Sequence, residues 1–331
     1  MSAPHGFESA LGTLITSYLA LKNALGRRFT IEKTVFVQLD RFLIDHYPDA
    51  STLTVDSFAA WCLTLVHLMP TVRRNRMRIV RNLCLYWRRT DPACFVPDPL
   101  GFPAPHAPRR PYIFTEEQVV RLLEAAAKMH PSPNSPLRAE VLRLAVVLLY
   151  TAGLRRGELV RLVLSDYDPT ERTLLVRASK FHKSRLVALS DDAAHEIEQY
   201  LYMRRSFSSS TKAPLLVSRS KGLRAYTGAG LAQALRSLFR SADVHSTQGR
   251  SPRVHDLRHT YAVHALARWY RAGVDVQAKL PALSMAMGHV SIVSTAYYLA
   301  LLEPIATEAS ERFARHCQDL ISAVSVGRAE Q

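Results

Sequence analysis

Between Asp91 and Pro111 the chain reads DPACFVPDPLGFPAPHAPRRP, with seven prolines in twenty-one residues. Each proline fixes φ and removes a backbone donor, so neither a helix nor an interior strand can run through this stretch. It divides the chain into two blocks, residues 1–92 and 113–331, joined by a semi-rigid linker over 93–112. A chain of 331 residues that is 48% apolar has material for a core in each block.

The first block reads as a small helical domain. Leu11, Leu14, Ile15, Tyr18, Leu19 and Leu25 recur at a helical period, as do Val35, Leu39, Phe42 and Leu43, and then Val55, Phe58, Ala59, Cys62 and Leu65. Its last helix, TVRRNRMRIVRNLCLYWRRT, has seven arginines and no acid. Arg74, Arg78, Arg81 and Arg88 gather on one face, with Val72, Ile79, Leu83 and Trp87 broadly opposite. A charge run is ordinarily a solvated face; the lack of acidic partners makes this one a candidate surface for DNA phosphates.

The second block is mostly helical. Thr115 and Gln118 have the spacing of a capping box that opens its first helix. In RTLLVRASKFHKSRLVALS two β-prone runs flank a polar turn at Lys180 to Lys183, which predicts a hairpin, and APLLVS is a candidate third strand. The expected fold class is therefore mainly α with a small β-sheet (α+β).

Composition narrows the partner. Lys and Arg together exceed Asp and Glu by 15, and the pI is near 10.0, which points to a polyanion, DNA or RNA before a membrane. The longest apolar runs, such as LAVVLLYTAGL, fall short of the ~20 residues that cross a bilayer. The opening MSAPHGFESALG lacks the charged and apolar regions of a secretory signal. Cys62, Cys84, Cys94 and Cys317 show no CxxC spacing, so reduced thiols in a cytoplasm are expected, not a disulfide frame or zinc site.

Four separated stretches of the second block hold the basic and nucleophilic groups that phosphoryl transfer needs: TAGLRRGEL with Arg155, the hairpin turn with Lys180, HDLRHT with His255 and Arg258, and GHVSIVSTAYY with His289 and two tyrosines. A phosphodiester transition state gathers negative charge on its non-bridging oxygens, which two bidentate guanidiniums can stabilise. The attacking oxygen loses a proton and the leaving oxygen gains one, which is work for His and Lys. A tyrosine hydroxyl can form a covalent intermediate. His255 and His259 at i, i+4 could instead ligate a metal, but Asp256 stands where a zinc protease motif requires glutamate. The plainer reading of His259 is a partly buried, hydrogen-bonded histidine.

In order and wording these stretches resemble the tyrosine recombinases, the phage integrase family of site-specific DNA recombinases, over about residues 113–303. The helical first block is similar in architecture to that family's core-binding domain. The resemblance implies a mixed catalytic domain whose catalytic residues are Arg155, Lys180, His255, Arg258, His289 and Tyr298, with Lys183 as the rival of Lys180. The register Gly-Leu-Arg-x-x-Glu selects Arg155 over Arg156 and makes Glu158 structural. It further implies double-stranded DNA sites as substrate, a homotetramer on paired sites, and neither cofactor nor metal. Tyr298 would attack a phosphate held by Arg155 and Arg258 to give a 3′-phosphotyrosyl bond, His255 would assist its deprotonation, and Lys180 would protonate the leaving oxygen. A DNA-binding protein of the same fold without catalysis, and a monomeric type IB topoisomerase, are the alternatives. The long interval RWYRAGVDVQAKLPALSMAMGH leans towards a mobile-element enzyme. The final EPIATEASERFARHCQDLISAV either docks on a neighbouring protomer or packs on its own domain.

Helical geometry bears on the two tyrosines independently. At about 100° per residue, Ile292, Val293, Ala296, Tyr297, Leu299 and Leu301 form one apolar arc and Tyr298 falls outside it. Tyr297 is thus expected to pack and Tyr298 to present an accessible hydroxyl.

Overall fold

Four helices build the first of two units, Met1–Arg109: α1 (Gly12–Ala24), α2 (Thr30–His46), α3 (Val55–Thr64) and α4 (Pro70–Trp87). The computed structural model describes residues 6–27, 29–105, 109–177, 184–206, 210–218, 224–245, 249 and 251–301. The helices stand where the period puts them, but Leu25, Val55 and Ala59, counted in the apolar sets, are exposed. Helix α3 opens with a reciprocal Thr54–Ser57 capping box, and α4 carries Pro70 in its first turn, where no backbone donor is missed. Their inner faces bury Ile15, Phe36, Leu39, Trp61, Val80 and Leu83. Ile79 joins that core, whereas Val72 is exposed.

The proline-rich stretch is in large part not a spacer. Cys94 and Phe102 are buried, and Phe95 and Val96 pack on the core of the first unit. Prolines leave a run of carbonyls with no helix or sheet to satisfy them, and these need donors. Arg81 Nε donates to Pro97 O at 2.9 Å and Arg74 Nη1 to Pro103 O at 2.7 Å. Two of the four arginines assigned to DNA therefore strap the proline-rich chain to α4. Arg78, which bonds Asn75 Oδ1 at 3.0 Å, and Arg88 are exposed.

The second unit, Arg110–Gln331, is organised around α6 (Arg138–Thr151), which is buried at Val141, Leu142 and every position from Leu144 to Leu149. Helix α5 (Glu116–Ala127) opens with the Thr115–Gln118 capping box that the sequence predicts. After the short α7 (Arg156–Leu159) come β1 (Tyr167–Asp168), β2 (Thr173–Val176) and β3 (Arg185–Ala188), in antiparallel order β1-β2-β3. The hairpin register pairs Leu174 with Val187 and Val176 with Arg185. Next follow α8 (Asp191–Arg204), the ribbon β4 (Val217–Ser218) with β5 (Arg224–Ala225), and α9 (Gly228–Ser241). The chain then forms α10 (Val254–Arg271), α11 (Val276–Met287), α12 (Val293–Ala296) and a 3₁₀ segment, Tyr297–Leu301.

APLLVS does not extend the hairpin. The third strand there is β1, while backbone bonds Leu215 N to Leu162 O (2.7 Å) and Leu164 N to Ala213 O (3.0 Å) fix APLLVS to the loop after α7. Cys62, Cys84 and Cys94 are free thiols. The turn with Lys180 and Lys183, and the chain beyond Leu301 with Cys317, lie outside the described residues.

The strap has a direct check. Replacing Arg74 and Arg81 together by alanine removes two charge-assisted hydrogen bonds of roughly 1.5 kcal/mol or more each, so amide exchange across 94–103 should accelerate at least about tenfold. Arg78→Ala should leave that exchange unchanged.

Candidate active site

The site begins where α6 must stop. Gly153 has φ +58°, and a Cβ there would stand 2.4 Å from the Tyr261 ring, so only glycine makes the turn. The chain then runs through buried Leu154 to Arg155, whose extended backbone starts α7. One turn on, the buried Glu158 carboxylate accepts from Arg155 N (2.9 Å) and from Arg155 Nη1 (2.7 Å). The motif glutamate thus fixes both main chain and guanidinium of the motif arginine.

The same carboxylate takes a second guanidinium. Arg185 donates from Nη2 to Glu158 Oε2 at 2.9 Å and from Nη1 to Oε1 at 3.1 Å. Burial by itself would raise the Glu158 carboxyl; the bonds from Arg185 and from Arg155 outweigh it and hold the group down to about 2. Arg185 was not singled out from the sequence. A signal existed: in β3 it lies two residues before the buried Val187, and a period of 2 turns it inward.

Three guanidiniums meet at the end of α11. Arg185 Nε donates to Ala286 O (2.8 Å), Arg258 Nη2 to Met287 O (2.6 Å) and Arg155 Nη2 to Gly288 O (2.9 Å). A helix ends with four carbonyls that lack partners and with partial negative charge, and cations suit both. Gly288 sits at φ +64°, and a Cβ on it would come within 2.7 Å of the Arg185 guanidinium. Arg258, from α10, also donates to Gly153 O; it is 1% exposed, and burial followed by the Arg155 charge lowers it to about 10, so it stays cationic.

The histidines and tyrosines line the same place. His289, directly after the α11 cap, bonds Thr295 Oγ1 through Nδ1 at 2.8 Å. Its ring lies nearly parallel to that of Tyr298, 14° between planes and 6.2 Å between centroids. His255 and His259 share one face of α10, with ring centroids 4.7 Å apart. The hydroxyl of Tyr298 is 3.1 Å from His259 Nδ1. All three imidazoles are pushed down to about 4, first by burial and then by neighbouring groups that disfavour a further positive charge: His259 and Arg258 for His255, Arg253 and Arg258 for His259, and Arg258 and Arg155 for His289. His255 is the most open of the three as a residue, although its ring is packed against His259 and is enclosed enough to lose solvation. At neutral pH the cluster therefore carries three guanidiniums, one carboxylate and uncharged histidines, a receptor for an anion.

The expectation about the tyrosines is inverted in exposure. Tyr298 is 3% exposed and Tyr297 is 44% exposed. The α-helical phase fails because α12 has four residues and the chain from Tyr297 is 3₁₀, while Ile292 and Val293, placed in the apolar arc, are exposed. Tyr298 is nonetheless the tyrosine among the histidines; burial raises its hydroxyl pKa, and Arg258 and Arg155 act against that rise. Of the six residues expected to act together, Arg155, His255, Arg258, His289 and Tyr298 converge, and Lys180 is outside the described residues.

The sequence profile of the phage integrase family matches residues 113–303. The "Putative integrase/recombinase y4rB" of Sinorhizobium fredii is 30% identical over 310 residues, 92% of this chain and 97% of that protein. The tyrosine recombinase XerD of Mycobacterium tuberculosis is 33% identical over 57% of each chain. In fold, the chain is similar to the Tn1549 transposon integrase in complex with transposon right end DNA, with a TM-score of 0.61 and 18% identity over 91% of this chain and 99% of that one. It is also similar to XerH site-specific recombinase bound to its difH substrate, with a TM-score of 0.59 and 17% identity over 85% and 78%.

The depressed Glu158 pKa fixes a pH signature. A folded value near 2 against an ordinary 4.5 means that the stabilisation is complete above about pH 4.5 and is lost as pH falls towards 2. Glu158→Gln should lower stability by on the order of 3 kcal/mol at pH 7, because it breaks a buried ion pair. The gap to wild type, measured by urea unfolding, should close between pH 4.5 and pH 2.

Proposed function

The chain belongs to the phage integrase family, and from that premise we propose that it is a tyrosine recombinase that cuts and rejoins DNA through a covalent bond between Tyr298 and a DNA 3′-phosphate. The observation that carries this reading is the convergence on Tyr298 of two arginines and two histidines from three segments: Arg155 before α7, Arg258 and His259 on α10, and His289 after α11. Arg155 and Arg258 are pre-oriented by their carbonyl and carboxylate bonds, and their remaining N–H groups bind the non-bridging oxygens of the scissile phosphate. His289, held through Nδ1 by Thr295, offers Nε2 to the same phosphate, and the more open His255 offers a second donor.

Tyr298 attacks phosphorus, a phosphotyrosyl ester forms, and the 5′-oxygen leaves with a proton that the reading assigns to Lys180. One phosphodiester is exchanged for another, so the step requires neither ATP nor a metal ion. A free 5′-hydroxyl reverses it on the same or another strand. Exchange between two duplexes requires four strand cuts, and each chain brings one Tyr298, hence a homotetramer on paired DNA sites. The net excess of 15 basic residues, with exposed Arg78 on α4 and Arg88 at its end, supports contact with DNA backbone, and a chain that acts on DNA would work in the cytoplasm. Among the described residues no helix is long and apolar enough to cross a membrane.

The test uses a nicked duplex cut from the DNA that flanks the chain's own gene, in chelator, followed by denaturing gels. Wild type and Tyr297→Phe should form a covalent protein–DNA adduct and Tyr298→Phe none. An adduct lost only in Tyr297→Phe would reverse the assignment of the nucleophile. Tight binding with no adduct would favour the catalytically silent alternative, and relaxation of any supercoiled plasmid without site preference would favour a topoisomerase.

A further inference from the structure

The nucleophile's hydrogen-bond partner is not the histidine that the family resemblance implicates. Tyr298 meets His259 Nδ1 at 3.1 Å, and His255 reaches the tyrosine only through the His259 ring, edge-on at 4.7 Å between centroids. We propose that His259 is a further catalytic residue, the group whose Nδ1 receives the Tyr298 proton during cleavage and returns it during rejoining. The inference rests on the reading of Tyr298 as the nucleophile.

The surroundings suit a proton acceptor. The charged and titratable groups that face His259 are His255, Arg253 and Arg258 from its own helix, and His289 and Tyr298 from the chain after α11. Burial and these cations keep the ring uncharged, and with its proton on Nε2 the Nδ1 lone pair points at the hydroxyl. A phosphodiester entering between Arg155 and Arg258 adds negative charge beside the ring and strengthens it as a base. Atoms balance simply. The Tyr298 O–H bond breaks as the O–P bond forms, the proton passes to Nδ1, the P–O5′ bond breaks, and the 5′-oxygen takes a different proton from the acid on its own side. In the reverse step His259 protonates the departing phenolate. His255, exposed and one ring further away, is left free for the phosphate.

The geometry also explains why Tyr298 is buried. A tyrosine with a raised pKa and no base beside it would be a poor nucleophile; 3% exposure is compatible with chemistry because the proton acceptor is buried with it.

The test uses the full chain, single-turnover adduct formation on the nicked flanking duplex, and, once the cut is mapped, a second duplex with sulfur as the 5′-bridging atom. A thiolate leaves without protonation, so a defect on the leaving-group side is rescued by sulfur and a defect on the tyrosine side is not. His259→Asn places an amide near the position of Nδ1 but cannot take a proton. It should bind DNA like wild type in gel shift and form adduct about 100-fold more slowly at pH 7, as loss of a general base predicts. The loss should persist on the sulfur duplex, and the rate should rise about tenfold per pH unit over a range where wild type is flat. Lys180→Ala should be rescued by sulfur. Wild-type rates in His259→Asn, rescue of its defect by sulfur, or a defect that merely tracks lost DNA binding would each overturn the proposal. A measurement on the unmodified protein guards against misfolding of the variant: imidazole ¹⁵N shifts should show Nε2–H and a bare, hydrogen-bonded Nδ1, and an Nδ1–H tautomer would refute the assignment. Adduct formation by Tyr298→Phe would instead sink the underlying reading, whatever His259→Asn does.

Discussion

The carbonyl end of α11 is the point on which the site depends. Three guanidiniums, from the loop before α7, from β3 and from α10, end on three successive carbonyls, those of Ala286, Met287 and Gly288. Cations of like sign would not gather in a half-buried space without compensation. Here the Glu158 carboxylate takes two of them, and the helix end contributes partial negative charge to all three. The result orients the arginines and also fixes the turn from which His289 departs, so the guanidiniums and the His289 imidazole share one anchor.

This arrangement separates holding from binding within a single side chain. A guanidinium has five N–H donors, and the two bonds that Arg258 makes to Gly153 O and Met287 O hold it on the scaffold without using all of them. A receptor whose charges are set before the anion arrives loses little in reorganisation when charge develops on the phosphate. The opposite division is visible in the first unit. There Arg74 and Arg81 look interchangeable with Arg78 and Arg88 in the sequence, yet they close the hydrogen bonds of a proline-rich strap.

Much of this was legible in the sequence. The helices of the first unit, the Thr115 capping box, the hairpin and the convergence of Arg155, His255, Arg258, His289 and Tyr298 all rest on periodicity, turn chemistry or motif order, which survive without coordinates. What failed shares a different character. The exposure of the two tyrosines was deduced from an α-helical angle in a segment that becomes 3₁₀. The strap escaped because proline density tells where regular structure stops and not where the chain lies. His259 was read from the sequence as a partly buried, hydrogen-bonded histidine and Arg185 had an inward strand position, but their partners, Tyr298 and Glu158, lie 39 and 27 residues away and no local pattern names them.

The double use of Glu158 has a consequence for how such a chain can vary. One carboxylate answers for two arginines, those arginines answer for carbonyls of α11, and Gly288 leaves the room in which one of them lies. Loss of any member strands its neighbours, so no single step towards a different arrangement is neutral. A substitution at any one of these positions is therefore felt at the others, through polar groups left buried without their partners.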